Sequence, residues 1–203
     1  MLAVYVFGAF YPGYNHLRQP MSVLGGPGSP VARPVSVWWV FIGVLFILFA
    51  AGYRRVYLST GRPYGIVPWL ITMYGAGEGI GSGLFPVSRA GGHLTPIGIA
   101  HDALGVLGVL AVMTLPFILL RAFPREQNPG MRYFTLAVAA SGIITVLLFN
   151  FSKVIPEKDT VFSYQGFWQR AFVFIYYVYL MVIAYRMLQI NRKKNKTSVP
   201  AVI

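Results

Sequence analysis

VSVWWVFIGVLFILFAAG fills residues 35–52 without a single charged side chain. As a helix rising 1.5 Å per residue it reaches about 27 Å, close to the roughly 30 Å hydrocarbon core of a bilayer. Trp38 and Trp39 stand near one end, where the aromatic belt of a membrane–water interface would hold them. The stretch therefore reads as a membrane span. The rest of the chain agrees: of 203 residues 56% are hydrophobic and 11% charged, against about 25% charged in a soluble domain.

Working outward, four further runs are long and apolar enough to cross: residues 64–86, 96–120, 133–151 and 167–188. The first ten residues, MLAVYVFGAF, are also apolar but reach only about 15 Å, half the membrane core. They read as a short membrane helix over 1–12, with a lost front end as one explanation. A signal peptide is the rival, but no basic region precedes the run, and Tyr11 and Pro12 follow it where small residues would be needed. The expected fold is all-α: a polytopic transmembrane bundle over 1–190, with five full spans, the short N-terminal helix and an outer interfacial segment at 13–30. A basic tail, 191–203, ends the chain.

A net charge of +12, from 17 Lys and Arg against 5 acidic residues, would ordinarily raise nucleic acid as a partner. Here the cations flank apolar runs, which points to a lipid surface and away from nucleic acid. Arg54, Arg55 and Arg62 follow residues 35–52. Arg121, Arg125 and Arg132 follow 96–120, and Arg186 lies at the end of the last run with Arg192, Lys193, Lys194 and Lys196 after it. These segments alternate, so all face one side, the cytoplasmic one by the positive-inside rule. Connectors 11–34, 87–95 and 152–166 then face outward from a cytoplasmic membrane, and the tail attracts anionic lipid at about 1 kcal/mol per basic residue. With no cysteine, disulfides, thiolate metal sites and thiol nucleophiles are excluded.

Ionisable residues inside a membrane mark function or a buried pair. Glu78, His101, Asp102 and Arg170 qualify, all in the outer half. Glu78 or Asp102 against Arg170 would form a structural ion pair. Alternatively the four line an outward-opening polar pocket with Tyr11, Tyr14, His16, Gln19, His93 and Gln169, taking lipid, ion or small ligand. His16, His93, His101 and Asp102 are the metal candidates and would suit zinc. Their spacing specifies no site: His93 and His101 are eight apart across Pro96, and neighbours His101 and Asp102 diverge by about 100° on a helix.

The run YGAGEGIGSGLF at 74–85 has glycine at every second position from Gly75 to Gly83. It fits no GxGxxG register and follows no strand, so a phosphate-binding loop is excluded. Its overlapping GxxxG pairs instead predict close helix packing that holds Glu78 against a neighbour, and local unwinding is the other use of such glycines. No GxSxG nucleophile elbow occurs.

AFYPGYNHLRQPMSVLGGPGSPVARP resembles the pattern YPGYSHxSQxISELGAxGAP that precedes the second helix in the DUF998 family of prokaryotic membrane proteins. GLFPVSRAGG followed by AHDAL is similar to that family's junction between third and fourth helices, and FWQRAFVFIYYVYL to its last helix. The resemblance covers nearly the whole chain and implies a six-helix bundle. By position Tyr11, Pro12, Gly13, Tyr14, His16, Gln19, Ser22, Leu24 and Gly25 match the first motif, and His101 and Arg170 the later ones. The chain departs at Val23, where the family has glutamate, at Asn15, where it has serine, and at Gln169, where it has glutamate. Two functional classes stay open: a binder with an outer polar pocket, and a membrane-embedded hydrolase, with or without metal, using His16, His101 and Asp102.

Overall fold

The computed structural model describes residues 1–58, 65–121, 125–126, 128–155 and 160–197, with backbone alone over 193–197. Arg62, the start of the expected 64–86 span, residues 156–159 of the last connector, 198–203 of the tail and the side chains of Lys193, Lys194 and Lys196 lie outside it.

Helix dominates throughout. α1 (Leu2–Ala9) is followed by a loop holding a 3-10 turn, Met21–Gly25, then α2 (Ala32–Leu58). α3 (Ile66–Tyr74) runs into a π-helical segment, Gly75–Gly81, and a last turn, α4 (Ser82–Leu84). A two-stranded antiparallel hairpin, β1 (Arg89–Ala90) and β2 (His93–Leu94), leads to α5 (Pro96–Leu120). α6 (Pro129–Val154), a 3-10 turn (Val161–Ser163) and α7 (Gln165–Thr197) complete the chain.

Local chemistry sets the helix starts. Thr95 Oγ1 accepts from Gly98 N at 3.1 Å, with Pro96 in the first helical position, where its missing N–H is not needed. Pro129 opens α6 in the same way, and Pro34 lies in the first turn of α2. The hairpin turns on Gly91 and Gly92, both at positive φ (58° and 83°), a backbone that glycine adopts without strain.

Four helices are long and apolar enough to cross a membrane: Ala32–Tyr57, Pro96–Leu120, Pro129–Val154 and Gln165–Arg192. The chain is a membrane protein with an all-α bundle. Each helix runs several residues beyond its apolar window or meets it: α2 and α7 begin before residues 35 and 167 and continue past 52 and 188, whereas α5 coincides with 96–120. Exposed Leu45, Leu48, Leu107, Leu110, Leu147 and Met181 turn outward, as expected where the solvent is hydrocarbon.

Small residues bring the helices together. A Cβ on Gly79 would lie 2.4 Å from Gly43 Cα, and one on Gly75 would lie 2.7 Å from Gly43 O. Gly75, Gly79 and Gly83 thus rest on the α2 backbone, the close approach their spacing predicts. Gly77 and Gly81 point the other way, onto Leu104 and Gly108 of α5. Between α6 and α7, Gly142 makes room for the buried ring of Tyr176, and Tyr179 donates to Thr135 Oγ1 at 3.3 Å.

Candidate functional site

The polar residues singled out in the sequence fall into two groups. The first surrounds Arg170, on the second turn of α7 and 4% exposed. Its Nη1 donates to the carbonyls of His16 (2.6 Å), Gly166 (2.9 Å) and Gln19 (3.1 Å). Its Nη2 donates to Tyr14 Oη at 2.6 Å and lies 3.3 Å from His16 Nδ1. The expected ion pair with Glu78 or Asp102 is not formed: among the described residues no carboxylate bonds Arg170, and carbonyl dipoles from the loop take that place. The reason is reach, because residues 14–20 fold directly onto the head of α7.

That fold is local chemistry too. Asn15 Oδ1 accepts from Leu17 N and Arg18 N, an Asx turn that reverses the chain at His16. Gln19 Oε1 accepts from Asn15 N at 2.7 Å. Gln169 Oε1 accepts from Met21 N at 2.6 Å, and Leu17 O accepts from Phe167 N at 2.8 Å, so three points of α7 hold the loop. Within the segment expected to lie at the outer interface, Met21–Gly25 forms a 3-10 turn that begins after Pro20, with Met21 and Leu24 buried as its apolar face and Leu17 left exposed.

Aromatic rings close the remaining sides. Tyr11 stacks on Tyr14 (5.8 Å between centroids), and the His16 ring meets Tyr14 edge-on at 5.0 Å and Tyr5 at 4.8 Å. Arg170 lies 5.8 Å from the Tyr5 ring centre and 5.7 Å from that of Tyr14, within cation–π range. Guanidinium only donates, so His16 Nδ1 faces it as the lone-pair nitrogen and the imidazole proton belongs on Nε2. Burial and then the Arg170 charge hold His16 below the ordinary histidine value, keeping it neutral. Burial is also the chief reason the Tyr14 phenol is pushed up, against the opposing pull of Arg170, so it stays a hydroxyl. One donor is left over: among the described residues Arg170 Nε is buried without a partner.

The second group lies around Glu78 and His101. His101 is buried and its Nδ1 lies 2.7 Å from Phe85 O, which can only accept, so Nδ1 carries the proton there. Asp102 is exposed beside it. Glu78, partly buried in the π segment, lies against α5: a Cβ on Gly105 would be 3.2 Å from Glu78 Oε1. His93 is exposed in the hairpin and makes no hydrogen bond to either group among the described residues. Thus Tyr11, Tyr14, His16, Gln19, Gln169 and Arg170 come together. Glu78, His101 and Asp102 do not join them through any hydrogen bond among the described residues. No three His, Asp or Glu side chains among these residues assemble into a metal-holding group.

A family model, described as a protein of unknown function (DUF998), matches residues 1–186. The chain belongs to DUF998. No curated protein and no solved structure matches it. In this DUF998 protein the loop with the YPGYNH run is the one Arg170 holds. Sequence reading missed Tyr5, Gly8 and Gly166. Tyr5 and Gly8 share one face of α1 at i, i+3 spacing, and Gly8 is where the His16 ring rests. Gly166, four residues before Arg170, leaves space for the Gln19 and His16 carbonyls, since a Cβ there would meet them at 2.2 and 2.5 Å.

Proposed function

We propose that this DUF998 protein binds the phosphate of an anionic lipid headgroup at the outer end of the bundle, where Tyr14, His16, Gln19, Gln169 and Arg170 meet. One observation carries the reading: among the described residues a buried guanidinium is met by neutral acceptors alone, and its Nε has none. A charge-assisted hydrogen bond to an anion is roughly twice as strong as a neutral one, so phosphate competes with the loop carbonyls for these donors. Segment 13–30 then acts as a cover that lifts to admit the headgroup.

The same reading takes the helical run Ile66–Leu84 as a fifth span and α1 as a short sixth membrane helix. It puts Arg54, Arg55, Arg121, Arg125 and Arg132 with the C-terminal tail on the cytoplasmic side, and the Arg170 site opposite. Cysteine labelling in intact cells tests this sidedness: Ser29→Cys reacts with an impermeant maleimide and Lys194→Cys does not, whereas the reverse pattern inverts the topology. The hydrolase reading gains no support, because His16 is engaged with Arg170 and His101 with Phe85 O.

Native mass spectrometry of the detergent-purified protein with added phosphatidylglycerol tests the ligand. The wild type retains bound lipid, Arg170→Gln loses it, and a variant with Lys193, Lys194 and Lys196 changed to Gln keeps it. Equal retention by wild type and Arg170→Gln, or loss only with the tail, overturns the assignment. Competition by inorganic phosphate distinguishes a free anion from a headgroup.

A further inference from the structure

Glu78 has surroundings unlike those of any other acidic residue in the described chain. It sits in a π-helical segment seven residues long, wedged between α2 and α5, two helices of membrane-spanning length. π-helical turns are rare and occur often at functional sites. Here the wider turn is stabilised from both sides by backbone contact. Gly75 and Gly79 rest on Gly43, and Gly77 on Leu104 and Gly108. Glu78 is the one side chain with an ionisable group between these glycines, and it lies over the bare backbone of α5. A Cβ on Gly105 would stand 3.2 Å from its Oε1, and one on Gly108 would stand 3.0 Å from its Cγ.

Every element packed around this carboxyl can be accounted for. α2 presents Gly43 and the Phe46 ring, which touches Tyr74 and Tyr177 edge-on at 5.0 and 5.5 Å. Tyr74, from the preceding turn, and Tyr177, from α7, thus flank one ring and bring two phenols to this side of the π segment. From α6, Lys153 lies within electrostatic reach of both Glu78 and Asp102 of α5, as well as of Arg89 in the hairpin. Lys153 is itself exposed and rests its ammonium over the Phe149 ring at 4.4 Å. No hydrogen bond reaches the Glu78 carboxyl among the described residues.

We propose that Glu78 is an exchangeable proton-binding site, reached from the hairpin end of the bundle past Lys153 and Asp102. A carboxylate without donors between two membrane helices is expensive to keep charged, and a cation that does not touch it offsets only part of that expense. Binding a proton removes the charge. Lys153 and Asp102, both exposed at the same end, then supply the ammonium and carboxylate through which the proton enters and leaves. This site is separate from the Arg170 cluster, with which it shares no hydrogen bond among the described residues, and it stands or falls independently of the headgroup reading.

The test uses a lipid-soluble carbodiimide, which attacks protonated carboxyl groups buried away from water and leaves an N-acylurea adduct located by peptide mass spectrometry. The full-length protein in detergent or vesicles is expected to carry the adduct on Glu78 at acid pH and to lose reactivity as the pH is raised. Glu78→Gln abolishes the adduct. Lys153→Gln, which removes the neighbouring positive charge, extends labelling to higher pH. Labelling absent at every pH shows a permanent ion, and labelling constant at every pH shows a permanently neutral group; either overturns the proposal. Protection by sodium at constant pH overturns it as well, because the site then takes a metal cation. The bundle's elution profile in size-exclusion chromatography keeps loss of folding apart from loss of labelling.

Discussion

The Arg170 clamp and the Glu78 wedge handle polar groups in opposite ways. At Arg170 the protein surrounds a charge with acceptors, bringing three carbonyls and a phenol to one guanidinium. At Glu78 it removes side chains, so that a carboxyl lies over glycine backbone with no donor among the described residues. The first region depends on hydrogen bonding and tolerates little change of polarity. The second depends on close approach and tolerates little change of volume. Acceptors hold the Arg170 charge while the loop lies over it, whereas the Glu78 carboxyl, with no donor among the described residues, is a place where a proton can come and go.

Substitutions should separate the two regions, and the largest effect is expected in the wedge. Gly79→Val puts a branched side chain onto the Gly43 backbone, which cannot retreat without parting α2 from the π segment. Overpacking of this kind is expected to cost about 3 kcal/mol or more, seen as loss of monodisperse protein or a large drop in denaturant midpoint. A near-wild-type midpoint would show that the helices can separate there.

Arg170→Ala comes next. It leaves the His16 carbonyl without its donor and takes one donor each from the Gln19 and Gly166 carbonyls and the Tyr14 hydroxyl, at about 2–3 kcal/mol in the same unfolding assay. If Arg170→Ala is as stable as wild type, the carbonyls are satisfied by water and the clamp contributes nothing. Tyr14→Phe removes one acceptor for the guanidinium and one donor to the Pro20 carbonyl, with an expected loss of about 1 kcal/mol.

The smallest effect is with pH. Because His16 is held below the ordinary value of about 6.5, the fold favours its neutral form. Its contribution is fully present above that ordinary value and is lost as pH falls through the lower folded value. Thermal midpoints should therefore decline on mild acidification, and His16→Gln should flatten that decline. An unchanged slope would mean that the imidazole charges freely and is not pressed against Arg170.

Much of this was legible in the chain itself. Uncharged runs such as 35–52 and 133–151 could only be membrane-length helices, and the spacing of Gly75, Gly79 and Gly83 predicted their contact with another backbone. Tyr14, His16, Gln19 and Arg170 were recognisable as candidates because polar residues are rare here. Their pairing was not recognisable. Charge alone favoured Glu78 or Asp102 as the partner of Arg170, whereas the Asn15 turn delivers neutral carbonyls from more than 150 positions away in sequence. Nor does composition reveal a π-helix, because glycine spacing alone does not say whether a segment stays α-helical, widens or unwinds. Lys153, read only as part of an outer connector, belongs to α6 because that helix extends past 151 to Val154.

Amide hydrogen exchange of Arg170→Gln, followed by mass spectrometry, tests most directly whether the clamp and the wedge are separate devices. Peptides covering 15–26 should exchange at least about tenfold faster than in the wild type, since losing more than 1.4 kcal/mol of local stability opens the loop by that factor. Peptides covering 75–81 should stay as slow as before. Unchanged exchange over 15–26 would contradict the account, as would an equal rise in both segments.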